Sequence, residues 1–144
     1  MLKKKITYTD YNGMERNDDF YFNMTEREIV MLLARLGVDD MKEYANKLVE
    51  SGDAKAMFSF IDDIILSSIG AKSEDGKRFV KNQKIRDDFE QSEAYNVLFM
   101  DFLQNPNTAS SFASAIVAKA KSKPSLADAA KSPIAGTISN TLGR

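Results

Sequence analysis

Cysteine, histidine and tryptophan are all missing from these 144 residues. Without cysteine there can be no disulfides and no thiolate nucleophiles, a composition that suits a reducing compartment. Without histidine the common zinc sites, the Ser–His and Cys–His nucleophile pairs and the usual general base are all unavailable. Carboxylate and lysine chemistry stay open, but the residue set speaks against an enzyme, and no metal or cofactor is expected. No run of 18 apolar residues occurs, so nothing is expected to span a membrane. Met1-Leu2-Lys3-Lys4-Lys5-Ile6 is basic, yet neither an apolar h-region nor a small-residue cleavage site follows, and it does not read as a signal peptide. No glycine-rich phosphate loop is present. An overall excess of one charge sign is also lacking, since the formal net charge is −1. That balance hides an asymmetry: 15 Lys+Arg against 20 Asp+Glu through Ala118, then 5 against 1 from Lys119 to Arg144. An acidic body therefore carries a short basic end, too thinly charged for a nucleic-acid arm.

What is present suffices for one domain with a moderate core, at 43% apolar and 28% charged residues. Ile6 and Tyr8 alternate with Thr7 and Thr9, Asn12-Gly13 offers the central pair of a type I′ turn, and Phe20-Tyr21-Phe22 supplies a returning strand. A β-hairpin is expected over residues 3–23, with a bulge at Asp18-Asp19. Two strands alone are marginal in water, so Ile6, Tyr8, Phe20 and Phe22 must lie on helices or pair with another chain.

Helix signals follow. Thr25 and Glu28 form a capping box between Met24 and Ile29 at the two staple positions, with Ile29, Leu32, Leu33 and Leu36 on one face and Gly37 as the stop. Asp39 or Asp40 opens a second helix, burying Met41, Tyr44, Ala45 and Leu48 and ending near Ser51-Gly52. Asp53 caps a third that reaches Ile69, with Gly70 closing it and Met57, Phe58, Ile61, Ile64, Ile65 and Ser68 as its stripe. After a turn at Ser73-Glu74-Asp75-Gly76, residues 83–91 give a short helix with Ile85 and Phe89 on one side. Ser92 then caps a helix to Gln104 bearing Ala94, Tyr95, Leu98, Phe99, Phe102 and Leu103, and Asn107 or Thr108 caps a last one with Phe112 and Ile116. The expected fold is α+β, mainly α. An N-terminal β-hairpin precedes a bundle of five to six helices in one domain over residues 1–118, and a flexible basic tail covers 119–144.

Phe60 and Leu66 fall outside the third helix's stripe, and Val97 and Met100 outside that of the fifth. These four form the candidate protein-binding surface. Asp39-Asp40, Asp62-Asp63 and Asp87-Asp88 read as solvated helix faces and first turns, because adjacent residues on a helix diverge. Ser73–Gly76 lacks the alternating ligands and terminal glutamate of a calcium loop. Lys72, Lys77, Arg78, Lys81, Lys84 and Arg86 make a basic patch around Phe79, but the interspersed carboxylates argue against nucleic acid.

The order Lys72-Ser73-Glu74-Asp75-Gly76, Arg78-Phe79-Val80-Lys81, Phe89-Glu90-Gln91-Ser92-Glu93-Ala94-Tyr95 and Leu98-Phe99, within a similarity covering about residues 3–116, resembles the tail assembly chaperones of long, non-contractile-tailed bacteriophages of Gram-positive hosts. Ile69 stands where an aromatic is expected, and Ala115-Ile116-Val117-Ala118 replaces a glycine–proline ending. The resemblance implies a mostly helical protein of the host cytoplasm, absent from the finished virion. It would coat the tape measure protein and keep it soluble until tail tube subunits polymerise around it. A frameshift-extended form recruiting the tube protein would join at the basic end. Homo-oligomerisation stays open. The alternatives are a tail-completion protein retained in the particle and a small regulatory protein-binding module.

Overall fold

Alternation in the first 22 residues builds a hairpin whose turn and register differ from the expectation. In the computed structural model, which describes residues 1–119, β1 (Leu2–Thr9) and β2 (Glu15–Phe22) pair antiparallel. The ladder is unbroken from Leu2 opposite Phe22 to Thr9 opposite Glu15, so no bulge forms at Asp18-Asp19. Each carboxylate is satisfied on its own face of a regular strand. Asp19 meets Lys5 Nζ at 3.1 Å, and Asp18 accepts the Tyr8 hydroxyl at 2.7 Å. The closing bond of the turn runs from Gly13 N–H to the Asp10 carbonyl, which makes Tyr11 and Asn12 the central pair rather than Asn12 and Gly13. Asp10 Oδ1 also accepts the N–H groups of Asn12 and Met14. Gly13, at φ 79°, leads the chain into β2 in a conformation other residues resist.

The first three helices start and stop where their caps lie. Thr25 Oγ1 accepts Glu28 N–H at 3.2 Å and Glu28 Oε1 accepts Thr25 N–H at 2.9 Å, completing the capping box of α1 (Glu26–Leu36), which ends at Gly37. Asp40 caps α2 (Met41–Ser51) and Asp53 caps α3 (Ala54–Ser68).

Past α3 the chain returns to the sheet. Ile69 turns extended and opens β3 (Ile69–Lys72), with Ile69 opposite Phe22 and Gly70 opposite Tyr21. β4 (Phe79–Val80) pairs with β3, giving a four-stranded antiparallel sheet ordered β1-β2-β3-β4. Gly70 is thus no helix stop but a strand residue under a ring. A Cβ there would sit 2.4 Å from Phe79 Cε2 and 2.7 Å from the Val80 carbonyl oxygen. Because one of those neighbours is backbone, Gly70→Ala is expected to cost about 1–3 kcal/mol by overpacking. Urea denaturation checks it, and an unchanged midpoint would refute the fit.

Three more helices complete the described residues: α4 (Gln83–Glu90), α5 (Glu93–Gln104) and α6 (Pro106–Lys119). Ser92 occupies the position before α5, but its hydroxyl donates back to the Phe89 carbonyl at 2.7 Å instead of capping forward. α6 begins at Pro106, directly after Asn105 and earlier than Asn107 or Thr108. Proline suits a first helical turn because its missing N–H would have no partner there.

The core lies between the inner face of the sheet and the helices. Phe22, 0% exposed, meets Phe89 of α4 edge-on at 5.9 Å and Phe112 of α6 at 5.1 Å, while Phe112 reaches Phe102 of α5. The structure bears out the α+β, mainly helical class, with its N-terminal hairpin and six helices among the described residues. The tail expected over 119–144 lies outside the described residues, apart from Lys119 at the end of α6.

Candidate protein-binding surface

The four residues singled out as surplus do not converge. Phe60 is 4% exposed, and its ring packs edge-on against Tyr44 of α2 at 5.4 Å. Phe58, placed in the stripe by sequence, is 44% exposed. At about 100° per residue the centre of the buried face runs through Met57, Ile61, Ile64 and Ser68, and Phe60 lies closer to that line than Phe58 does. The two phenylalanines therefore exchange roles. Leu66 is half-buried and packs on the core. Val97 and Met100 are exposed on α5.

An apolar band does form on α5, with a different neighbour from α3. Following the same rotation, Phe99, Leu103, Met100 and Val97 succeed one another around the outer side of the helix. Phe99 and Leu103 are half-buried against the core, while Met100 and Val97 face solvent. Exposed Phe58 extends the band onto α3, its ring 6.4 Å from that of Phe99. The two helices are further tied by the Tyr95 hydroxyl, which donates to Asp62. Burial, with Glu90 and Asp63 nearby, raises the Asp62 carboxyl above the usual range.

Residues of the densest sequence motif mostly build the architecture beside this band. Ser73 and Asp75 lock the β3–β4 turn: Ser73 Oγ bonds Asp75 Oδ1 at 2.7 Å and accepts Arg78 N–H, and Asp75 accepts Lys77 N–H. Gly76 donates its N–H to the Ser73 carbonyl, exposed Lys72 lies opposite Phe79, and Phe79 covers Gly70. Phe89 joins sheet to helix, contacting Phe20, Phe22 and Tyr95. Glu93 Oε2 accepts the Tyr11 hydroxyl at 3.0 Å and so fastens the hairpin turn to α5, whose Ala94 and Leu98 are buried.

Lys81, one cation of the basic patch around Phe79, is the member whose role the sequence does not show. Its ammonium donates to Glu28 Oε1 at 2.9 Å and to the Ser67 carbonyl at 2.8 Å. One side chain thereby joins the end of β4, the capping box of α1 and the last turn of α3. Burial lowers the Lys81 ammonium below its ordinary value despite the attraction of Glu28. Desolvation pushes Glu28 upward, but the Thr25 N–H and Lys81 together hold it below the usual carboxylate range. A capping box is visible in sequence; its third partner, 53 positions away, is not.

The paired carboxylates are divided among separate contacts. Asp40 caps α2, Asp63 meets Arg35 at 3.4 Å, Asp87 accepts from Gln83 and Asp88 pairs with Lys84. Among the described residues no cluster of three or more carboxylates could hold a metal ion, and no helix is long and apolar enough to cross a membrane.

The family described as phage tail assembly chaperone matches residues 1–133, which takes in every element of the fold. No curated protein and no solved structure matches the chain. With more than nine-tenths of its length matched, the chain belongs to the phage tail assembly chaperone family.

Proposed function

We propose that this chaperone binds and solubilises the tape measure protein through the α3–α5 apolar band, promotes tail tube assembly around it in the host cytoplasm, and leaves before the virion is complete. The observation carrying this reading is the run of Phe58, Phe99, Met100 and Val97 across two adjoining helices in a tail assembly chaperone. An amphipathic partner helix laid along it would remove those side chains from water, each burial contributing about 1.5–3 kcal/mol. The job requires no catalytic group, only a tolerant apolar surface, and methionine repacks easily on such surfaces. The tail tube protein would be recruited through a frameshift-extended form.

The test is co-expression of the chaperone with the tape measure protein. Val97→Ser with Met100→Ser is expected to leave the melting temperature within a few degrees and to weaken co-purification by about tenfold or more. Undiminished capture would refute the band. Mass spectrometry of purified virions should find the chain missing. Its presence there would favour the tail-completion reading instead.

A further inference from the structure

We infer that a second docking site, separate from the α3–α5 band, takes an acidic amphipathic helical segment of a partner protein in a basic groove between α1, the end of α3, β4 and α4. The groove encloses about 450 Å³. That is enough for the side chains of a turn or two of helix, within the range of about 300–1,000 Å³ common for ligand sites. Its floor is apolar: Met24 and Leu32 are buried core residues, and Met31 stands 60% exposed at the side. Its walls carry four cations, Arg27, Arg35, Lys81 and Arg86, against Glu28 within the lining and Asp63, which pairs with Arg35 beside it. This inverts the local charge on a body that is otherwise net acidic through Ala118.

Three of the four cations have partners in place. Glu28 and the Ser67 carbonyl hold Lys81, Asp63 holds Arg35, and Arg86 reaches the neutral Gln83 at 3.3 Å. Arginine adds forked donors suited to carboxylates, so an occupant with Glu or Asp flanking an apolar stripe would meet both wall and floor. A bare phosphate backbone would satisfy the cations and leave the exposed Met31 side chain without a partner. The observations therefore favour the protein segment over nucleic acid. Ser67, beside the groove, falls about 180° around α3 from Phe58, so the two surfaces lie on opposite sides of that helix.

The probe is a fluorescein-labelled helical peptide of about 18 residues, with Leu at i, i+4 spacing and Glu on both flanks, titrated with the full chain. A peptide with Lys for every Glu and a DNA duplex of about 20 base pairs serve as comparisons. The Glu peptide is expected to bind, and the Lys peptide and duplex to bind at least about tenfold more weakly. Arg27→Glu with Arg86→Glu should weaken the Glu peptide about tenfold or more with an unchanged melt, and Met31→Ser should weaken it at low and high salt alike. Val97→Ser with Met100→Ser should leave it unaffected, which separates this site from the band. Raising salt from about 0.1 to about 1 M should reduce affinity as screening shortens from about 10 to about 3 Å. Absent binding, equal binding by the Lys peptide, tighter binding by the duplex, or indifference to the charge reversals would each overturn the proposal.

Discussion

Phe22→Ala is expected to remove about 3–5 kcal/mol of stability, the largest loss from any single truncation in the sheet. Phe22 is fully buried, lies opposite Leu2 on β1 and Ile69 on β3, and carries edge-on rings from α4 and α6. Its removal opens a void where strands and helices meet, and the aligned backbone of two neighbouring strands leaves little room to collapse into it. Against a total of about 5–15 kcal/mol for a domain, the loss is roughly a fifth or more. The melting temperature should fall by on the order of 10 °C. Phe22→Leu should recover roughly half of the loss by refilling part of the volume. Differential scanning calorimetry on both variants decides the matter, and a loss below about 1 kcal/mol for the alanine variant would show the packing to be looser than described.

Local chemistry explains why the helices were legible. The capping box at Thr25 and Glu28, the aspartates before α2 and α3, and Gly37 and Gly52 each act within four residues, so their spacing alone marks the boundaries. β3 and β4 leave no such mark. Strands of four and two residues are too short to show a period of two, and their existence depends on Ile69 and Gly70 meeting Phe22 and Tyr21 from the far end of the chain. Gly70 shows the ambiguity at one position. A glycine after a helix reads as a stop, whereas here the missing side chain makes room for Phe79.

The outer apolar band of α5 was half legible for a related reason. Periodicity says which residues share a helix face but not how many neighbours press on that face. Val97 and Met100 emerged as surplus because α5 packs on one side only. Phe60 was misplaced because α2 covers a second flank of α3, a contact between helices that no single-helix pattern records. The motif from Lys72 to Phe99 carries the family resemblance, and most of its members join β3, β4, α4 and α5 into one frame. Its turn residues bond within five positions of one another, while Lys81, Phe89 and Glu93 reach distant parts of the chain. The frame in turn sets the angle at which α5 presents its outer side.

Phe60→Ser brings the fold and the proposed surface to one measurement. The ring of Phe60 fills the space between α2 and α3 beside Tyr44, Ala45 and Leu48. Truncation is expected to cost about 3–5 kcal/mol, and the serine hydroxyl adds about 1–3 kcal/mol if it stays buried without a partner. Met100→Ser, on the outer side of α5, should stay within about 0.5 kcal/mol of the parent. Binding should run the other way. Below its own melting temperature Phe60→Ser keeps the α5 band and should still capture the tape measure protein, while Met100→Ser melts normally and captures poorly. Phe60→Leu should regain much of the stability and leave capture unchanged, which separates lost packing from a disturbed surface. Equal melts for the serine variants would place Phe60 outside the core. Loss of capture by Phe60→Leu at parental stability would return Phe60 to the interface.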